Sequence, residues 1–409
     1  MSANSKESAS KHCRVIQRAK DFDHLDSAVA EGIHGFLRQL RSSCPVARSE
    51  KYGGFYVVST HDRIMEVGSD HARFSAACEG LGAVMLMPEF AETKAPLFEL
   101  DPPKQTEWRR LLQPFFSSTA VARHEPYVRA VTQRFLEPLR ARGHADFVAE
   151  LAVLIPPIIV GELFALPEEE RPAFSLLVRS FFAAGSLPEK EARELAARYG
   201  AYLRQLVAGR RGHQGSDLLT AVVNTPVSGR LANDAELLKF AFLMVAAGHL
   251  TTTDTIANTL LVLAEDGELQ QRVRENLDLV PALVEESVRY ESAVAATGRT
   301  VRVPTTLEGV KLDVGDRLLL TWGSGARDET RYEDPDRFLV DRAQPSRHIG
   351  WGAGVHRCLG MRLARLELRV VIEEILRAVP PFRLATNARI ERTYGVIRGV
   401  RAVPAVWEL

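Results

Sequence analysis

The chain has 409 residues, 46% of them hydrophobic, with Lys plus Arg and Asp plus Glu balanced at 52 each. That much apolar material excludes a disordered chain and suffices for a large core, and the length alone allows two or three domains. Zero formal charge excludes a global field for nucleic acid or an anionic membrane, so basic recognition has to be local.

The polar opening, MSANSKESASKH, lacks the apolar core of a signal peptide, and the longest apolar run, Phe240 to Gly248, is too short to span a bilayer. Four cysteines without paired spacing fit a reducing compartment. These features predict a cytoplasmic protein with no membrane anchor and a disordered stretch over residues 1–20.

In chain order, apolar residues recur at helical spacing from Asp23 to Leu40, Gly54 to Ser59 alternates as a strand, and His61 to Gly68 reads as a short helix. Between Cys78 and Leu100 the sequence turns apolar and irregular, with Met85, Met87, Phe90 and Phe98 among Gly and Pro, as in a loop over a core. Asp101-Pro-Pro is a helix-start signal, and in the helix it opens Gln105 and Arg109 share a face at i, i+4. Helices are predicted over Ala120 to Arg140, Asp146 to Phe164, Glu168 to Ala183 and Glu189 to Ala208, with a turn at Gly185 to Pro188.

A capping box, Asn233 with Glu236, opens a long helix that is apolar nearly all round from Leu237 to Val245. Within it, Gly248 and the run Thr251-Thr252-Thr253 weaken a buried helix, and such local inconsistency points to function. Further on, Glu286 and Arg289 are spaced i, i+3 and can pair. Residues 300–322 alternate as strands with turns at Glu308-Gly309 and Val314-Gly315-Asp316, and strands close the chain at Phe382 to Leu384 and Gly399 to Trp407.

Cys358 sits in a loop with glycines at 350, 352, 354 and 360, and a helical pattern begins at Met361. A thiol at a helix N-terminus is expected to have a lowered pKa. Three readings compete. A nucleophile would need a positioned base, for which His356 lies too close in sequence, and a zinc site would need partners, whereas Cys13, Cys44 and Cys78 are scattered. The third is a thiolate ligand to haem iron.

The segment Trp351-Gly-Ala-Gly-Val-His-Arg-Cys-Leu-Gly360 resembles the cysteine-ligand loop of the cytochrome P450 family, Phe-x-x-Gly-x-His/Arg-x-Cys-x-Gly. Ala247-Gly-His-Leu-Thr-Thr252 is similar to that family's Ala/Gly-Gly-x-Asp/Glu-Thr-Thr segment, and Glu286-x-x-Arg289 to its Glu-x-x-Arg pair. Asp101-Pro-Pro with Arg109 resembles its Asp-Pro-Pro and His-x-x-x-Arg stretch, and Asp334-Pro-Asp-Arg-Phe338 its Asp-Pro-x-Arg-Phe. The matches run in family order over residues 45–409; the departures are Gln105 for His, Leu250 for an acid, Ala326 for Asn and Trp351 for Phe.

The resemblance implies one domain over residues 21–409, mainly α with small β-sheets, shaped as a triangular prism with the haem between the long central helix and the cysteine loop. It implies haem b, with Cys358 as metal ligand, and O2 as co-substrate. Arg109, Gln105, Arg299 and His348 would hold the propionates, with Trp351, Gly352, Gly354, His356 and Gly360 around the cofactor. Thr251 would be the proton-handling hydroxyl, Ala247 and Gly248 would leave room for the gas, and Asp254, a water chain or a substrate hydroxyl would substitute for the acid missing at Leu250. Substrate contacts implied are Met85, Met87, Phe90, Phe98, Phe181, Leu243, Ala247, Val294, Ala295 and Ile397, and Glu286 with Arg289 would be a buried structural clamp.

The implied activity is that of a monooxygenase inserting one oxygen atom, most simply as a hydroxylation, into a lipophilic small molecule, with electrons from a ferredoxin and its NAD(P)H-dependent reductase. Arg357, Arg362, Arg365 and Arg369 would offer a basic face to an acidic ferredoxin. The alternatives are a peroxygenase using hydrogen peroxide and a non-catalytic haem-thiolate sensor.

Overall fold

The longest element is a 32-residue helix, Asp234–Glu265, around which the other helices pack. This computed structural model describes residues 15–77 and 94–409; Met85, Met87 and Phe90 lie outside the described residues. The Asn233 side chain accepts the Glu236 N–H at 2.9 Å and the Glu236 carboxylate accepts the Asn233 N–H at 2.9 Å, completing the capping box. The helix stops at Asp266, whose carboxylate caps the next helix through the Leu269 N–H.

By length and composition this helix is sufficient to cross a membrane, because its apolar stretch continues past Gly248 to Ala264. It is instead a core element, flanked by Ile155–Leu163, Glu189–Ala208, Met361–Ala378 and the strand Phe382–Leu384.

Several expected helices are shorter, and proline is the recurrent cause. The stretch expected from Ala120 to Arg140 breaks into Ser118–Ala122 and Glu125–Leu136, with Pro126 in the first turn of the second. The next begins as a strand, His144–Asp146, passes through a π-type turn, Val148–Ala152, and restarts at Ile155–Leu163 around Pro156 and Pro157. The helix expected from Asp23 starts only at Ile33, behind a 3-10 turn that Asp26 caps, and residues 15–20 before it are already helical with Val15 and Ala19 buried. Asp101 caps nothing: the helix begins at Lys104, and its carboxylate takes the Ser75 hydroxyl at 2.5 Å and the Ala76 N–H at 3.0 Å.

The larger sheet has the order Val46–Ser49, Phe55–Val58, Arg317–Leu320, Thr297–Val301, Phe74–Ser75. Its second and third strands are parallel and the other pairs antiparallel. A hairpin joins Thr305–Leu307 to Val310–Leu312 through Glu308 and Gly309, both at positive φ, as a two-residue turn of this hand requires. A third sheet of short strands places Pro404–Trp407 between His144–Asp146 and Phe382–Leu384. The fold is therefore mainly α with small sheets, as expected.

Beneath the site, the helix Val280–Tyr290 carries a buried ion pair. Glu286 accepts Nε and Nη2 of Arg289, both at 2.7 Å, together with Arg342 Nε at 3.0 Å and the Leu339 N–H at 2.8 Å. Arg289 spends its remaining donors on the carbonyls of Ala326, Pro335 and Arg337. The pair thereby ties a helix to two segments that have no regular structure of their own. Arg289→Met is expected to cost about 3–5 kcal/mol, because a buried carboxylate loses its main partner. A thermal midpoint close to that of the wild type would show that the clamp carries no such load.

Candidate active site

A 3-10 turn, Gly354–His356, leads into Cys358, and the helix Met361–Ala378 follows with Gly360 as its N-cap. The Cys358 N–H donates to the Trp351 carbonyl at 2.9 Å, while its sulfur accepts the N–H groups of Gly360 and Met361. Cys358 is exposed. The glycines serve the loop itself in two places. A Cβ on Gly350 would sit 2.7 Å from the Val288 carbonyl oxygen, and Gly354, at φ +59°, would place one 2.8 Å from Ser69 Cα. Gly352 also lies at positive φ, whereas a Cβ on Gly360 would meet only Phe116 at 4.0 Å, so no protein neighbour demands glycine there.

The lowered thiol pKa expected from the helix terminus is outweighed. Part of Cys358 meets solvent, but the protein crowded around its sulfur desolvates the thiol and pushes its pKa up, and the two N–H donors and Arg109 offset only part of that rise. A coordinated cation is what would hold this sulfur as thiolate. Among the described residues, no group of three or more His, Cys, Asp and Glu side chains forms a metal cluster.

Around the loop, donors collect that carboxylates would satisfy. Gln105 is buried and its amide donates to the Val355 carbonyl at 2.7 Å, and Arg109 Nη1 donates to the same oxygen at 3.2 Å. His356 Nε2 is buried without a hydrogen-bond partner. Burial, then the nearby Arg299, brings the His356 pKa down to about 3, and Arg109 acts on it in the same direction. An orphaned imidazole nitrogen between two guanidiniums fits the propionates of a haem above Cys358.

His348 does not join them. Its Nε2 is bonded to Glu285 at 3.1 Å and its Nδ1 accepts the Gly350 N–H at 3.1 Å, so both ring nitrogens are already used in a fully buried side chain. The propionate role expected of His348 is thus corrected: its place in this chain is structural, and His356 is the histidine with a free nitrogen.

Glu285 is the residue that the sequence did not reveal. Its carboxylate accepts Arg365 Nε at 2.6 Å and Nη2 at 2.8 Å, His348 Nε2 at 3.1 Å and the Trp351 indole N–H at 3.3 Å. Burial pushes its pKa up, but His348 and Arg365 outweigh it and bring it down to about 2. The signal was the doublet Glu285-Glu286, read only for its second member.

On the central helix, Ala247 is exposed and Leu243, Gly248 and Thr251 are partly so, while His249, Thr252 and Thr253 are buried. The residues Leu243, Ala247 and Thr251, spaced by four, share one partly open face of the helix. Thr251, Thr255 and Thr259 donate their hydroxyls to the carbonyls four residues back, at 2.8, 2.8 and 2.7 Å. Gly248 does not make the room expected of it, since a Cβ there would meet Val160 at 2.7 Å. Its lack of a side chain admits the neighbouring helix instead. Asp254 turns its carboxylate against Gly399, where a Cβ would lie 2.0 Å from Oδ1, and burial pushes its carboxyl up to about 7. Asp254 and Thr251 are therefore not hydrogen-bonded to each other.

The expected substrate contacts divide. Val294 and Ile397 form an isolated bridge between two chain segments, both partly exposed, and Phe98 is half-buried. Ala295 is corrected: it is buried in a cluster with Ile33, Phe36 and Leu37 of the helix that starts at Ile33. Phe181 belongs to an aromatic cluster with Phe182, Tyr199 and Phe242, stacking on Tyr199 at 4.5 Å, and so joins the two helices before the central one to it. The basic face is smaller than expected, because Arg365 is held by Glu285 and Arg369 by Glu125 and Glu373, leaving Arg357 and Arg362 exposed.

Comparison with known proteins bears on this arrangement. The family model described as cytochrome P450 matches residues 204–387. The chain is 31% identical over 377 residues to the cytochrome P450 monooxygenase PikC of Streptomyces venezuelae, covering 90% of this chain and 89% of that protein. It is 29% identical over 397 residues to the mycinamicin IV hydroxylase/epoxidase of Micromonospora griseorubida, covering 95% and 98%. The crystal structure of CYP108D1 from Novosphingobium aromaticivorans superposes with a TM-score of 0.83 at 28% identity, covering 96% of this chain and 98% of that one.

The raised Asp254 pKa has a stability consequence with a definite sign. The folded state holds the proton more tightly than the unfolded chain, so the cost of ionising Asp254 is absent below pH 4, grows between pH 4 and 7, and is complete above pH 7. Asp254→Asn is expected to raise the thermal midpoint at pH 8 and to leave it nearly unchanged at pH 4; an equal effect at both would contradict the burial of an ionisable group there.

Proposed function

This chain belongs to the cytochrome P450 family, and from that premise we propose that Cys358 ligates the iron of a haem b and that the enzyme inserts one atom of O2 into a lipophilic small molecule. It is a monooxygenase, an oxidoreductase whose relatives include named hydroxylases and epoxidases. The observation that most directly supports Cys358 as ligand is an exposed sulfur, fixed by two backbone N–H groups, beside the unpartnered Nε2 of His356 and the guanidiniums of Arg109 and Arg299.

Arg109, Gln105, Arg299 and His356 would hold the propionates, releasing the Val355 carbonyl in part as they turn to stronger acceptors. When bound, the haem would supply the dioxygen-activating chemistry, and the Cys358 thiolate would give electron density to its iron. The stripe Leu243, Ala247, Thr251 then bounds the space in which substrate and gas meet, with the bridge Val294–Ile397 and Phe98 as further walls. The Met and Phe content of the stretch around Met85, Met87 and Phe90 suits the same lipophilic wall in sequence.

Thr251 already gives its own proton to the Ala247 carbonyl, so its oxygen presents lone pairs and acts as an acceptor. Its role is to hold a proton donor, water or a substrate hydroxyl, in place. Asp254, near neutrality in its pKa, is a proton reservoir one turn further along, reaching Thr251 through such an intermediary. Electrons would come from a ferredoxin and its reductase, docking where Arg357 and Arg362 are exposed. Leu250, standing where an acid is usual, favours a second reading in which hydrogen peroxide is the oxidant.

Thr251→Ala is expected to lower product formed per reductant consumed by roughly a hundredfold, the low end of the effect of a proton-handling group. Peroxide release should rise to match, and substrate affinity should change little. Unchanged coupling would remove Thr251 from the mechanism, and full turnover with peroxide alone, in place of ferredoxin and O2, would favour the second reading.

A further inference from the structure

The cysteine loop carries an indole at position 351, and that indole is tethered. The Trp351 N–H donates to Glu285 at 3.3 Å, and the guanidinium of Arg365, bonded twice to Glu285, lies 5.5 Å from the centre of the Trp351 ring. His348, on the loop three residues before Trp351, is bonded to the same carboxylate, and its other ring nitrogen accepts the Gly350 N–H. Glu285 thus grips the loop at two side chains and, through Gly350, its backbone between them. Trp351 in turn offers its carbonyl to the Cys358 N–H at 2.9 Å. A phenyl ring at this position would have no donor to give Glu285.

We propose that Glu285 is a positioning residue for the sulfur ligand, acting through the Trp351 indole N–H to fix the strand of the loop that accepts the Cys358 amide. The inference rests on the reading of Cys358 as the haem ligand. Because Glu285 holds the Trp351 side chain while the Trp351 carbonyl accepts the Cys358 amide, a change at Glu285 shifts the backbone that carries Cys358, alters how the sulfur is held and thus the electron density that it gives to the metal. Glu285 touches neither substrate nor cofactor, so its effect belongs in the reduction potential more than in substrate binding.

The test compares the purified holoprotein with Trp351→Phe, Glu285→Gln and the double variant, reading the haem reduction potential and the thermal midpoint of each. Both single variants should shift the potential, Glu285→Gln upward because a negative charge near the loop is removed. The double variant should shift it by less than the sum, since each single change breaks the same link. Additive shifts, or a lowered midpoint with unchanged potentials, would overturn the proposal, because a merely structural glutamate changes stability alone. Should Glu285→Gln fail to retain haem, Trp351→Phe decides by itself, and an unmoved potential is the contrary result. A wild-type protein whose spectrum lacks thiolate ligation would refute the parent reading instead, before any variant is compared.

Discussion

A loop of glycines can present a sulfur in a fixed place only if something rigid holds the loop, and in this chain that support is a pair of adjacent buried glutamates. Glu286 faces Arg289 and Arg342 and gathers the irregular segments around Ala326, Pro335 and Arg337. Glu285, next to it in sequence and so turned to another side of the helix, faces Arg365, His348 and Trp351. Each carboxylate costs desolvation on burial, and each is met by a bidentate arginine and further donors, which is the condition under which a buried charge is tolerated. One helix turn thereby joins the scaffold of the fold to the scaffold of the site.

The opposite wall is built by another compromise. The central helix packs apolar side chains against its neighbours, and Thr251, Thr255 and Thr259 return their hydroxyls to the helix, whereas Thr253 donates to the Ala152 carbonyl and the buried Asn258 amide is left without a partner. The residues Leu243, Ala247 and Thr251 lie along one partly open face, which offers a small side chain and a hydroxyl. Gly248 lets the neighbouring helix approach to Val160, so the position of the wall depends on a missing Cβ. The absence of an acid at Leu250 leaves Asp254, whose carboxyl burial pushes up to about 7, as the acid nearest to Thr251 on this helix.

Much of this was legible in the residues. The capping box of Asn233 and Glu236, the Glu308-Gly309 turn and the Glu286–Arg289 pair are local patterns, and local patterns survive into the fold. Helix ends failed where Pro126 and Pro156 restarted the chain, and Asp101 failed as a cap because a distant strand, through Ser75 and Ala76, claimed its carboxylate. The site was legible wherever a motif named a residue and illegible where roles depend on distant partners. His348 and His356 look alike in sequence; only the contact of His348 with Glu285, 63 residues away, separates the structural histidine from the one with a free nitrogen. Ala295 likewise turns to the helix that starts at Ile33, a neighbour no local pattern announces.

The central claim is that Cys358 is the axial ligand of a haem, and the absorption spectrum of the reduced protein with carbon monoxide tests it most directly. A strongly red-shifted Soret band in the wild type that is lost in Cys358→Ser is the predicted result. A histidine-like band in sound wild-type protein, or a red-shifted band that persists in the serine variant, would contradict it.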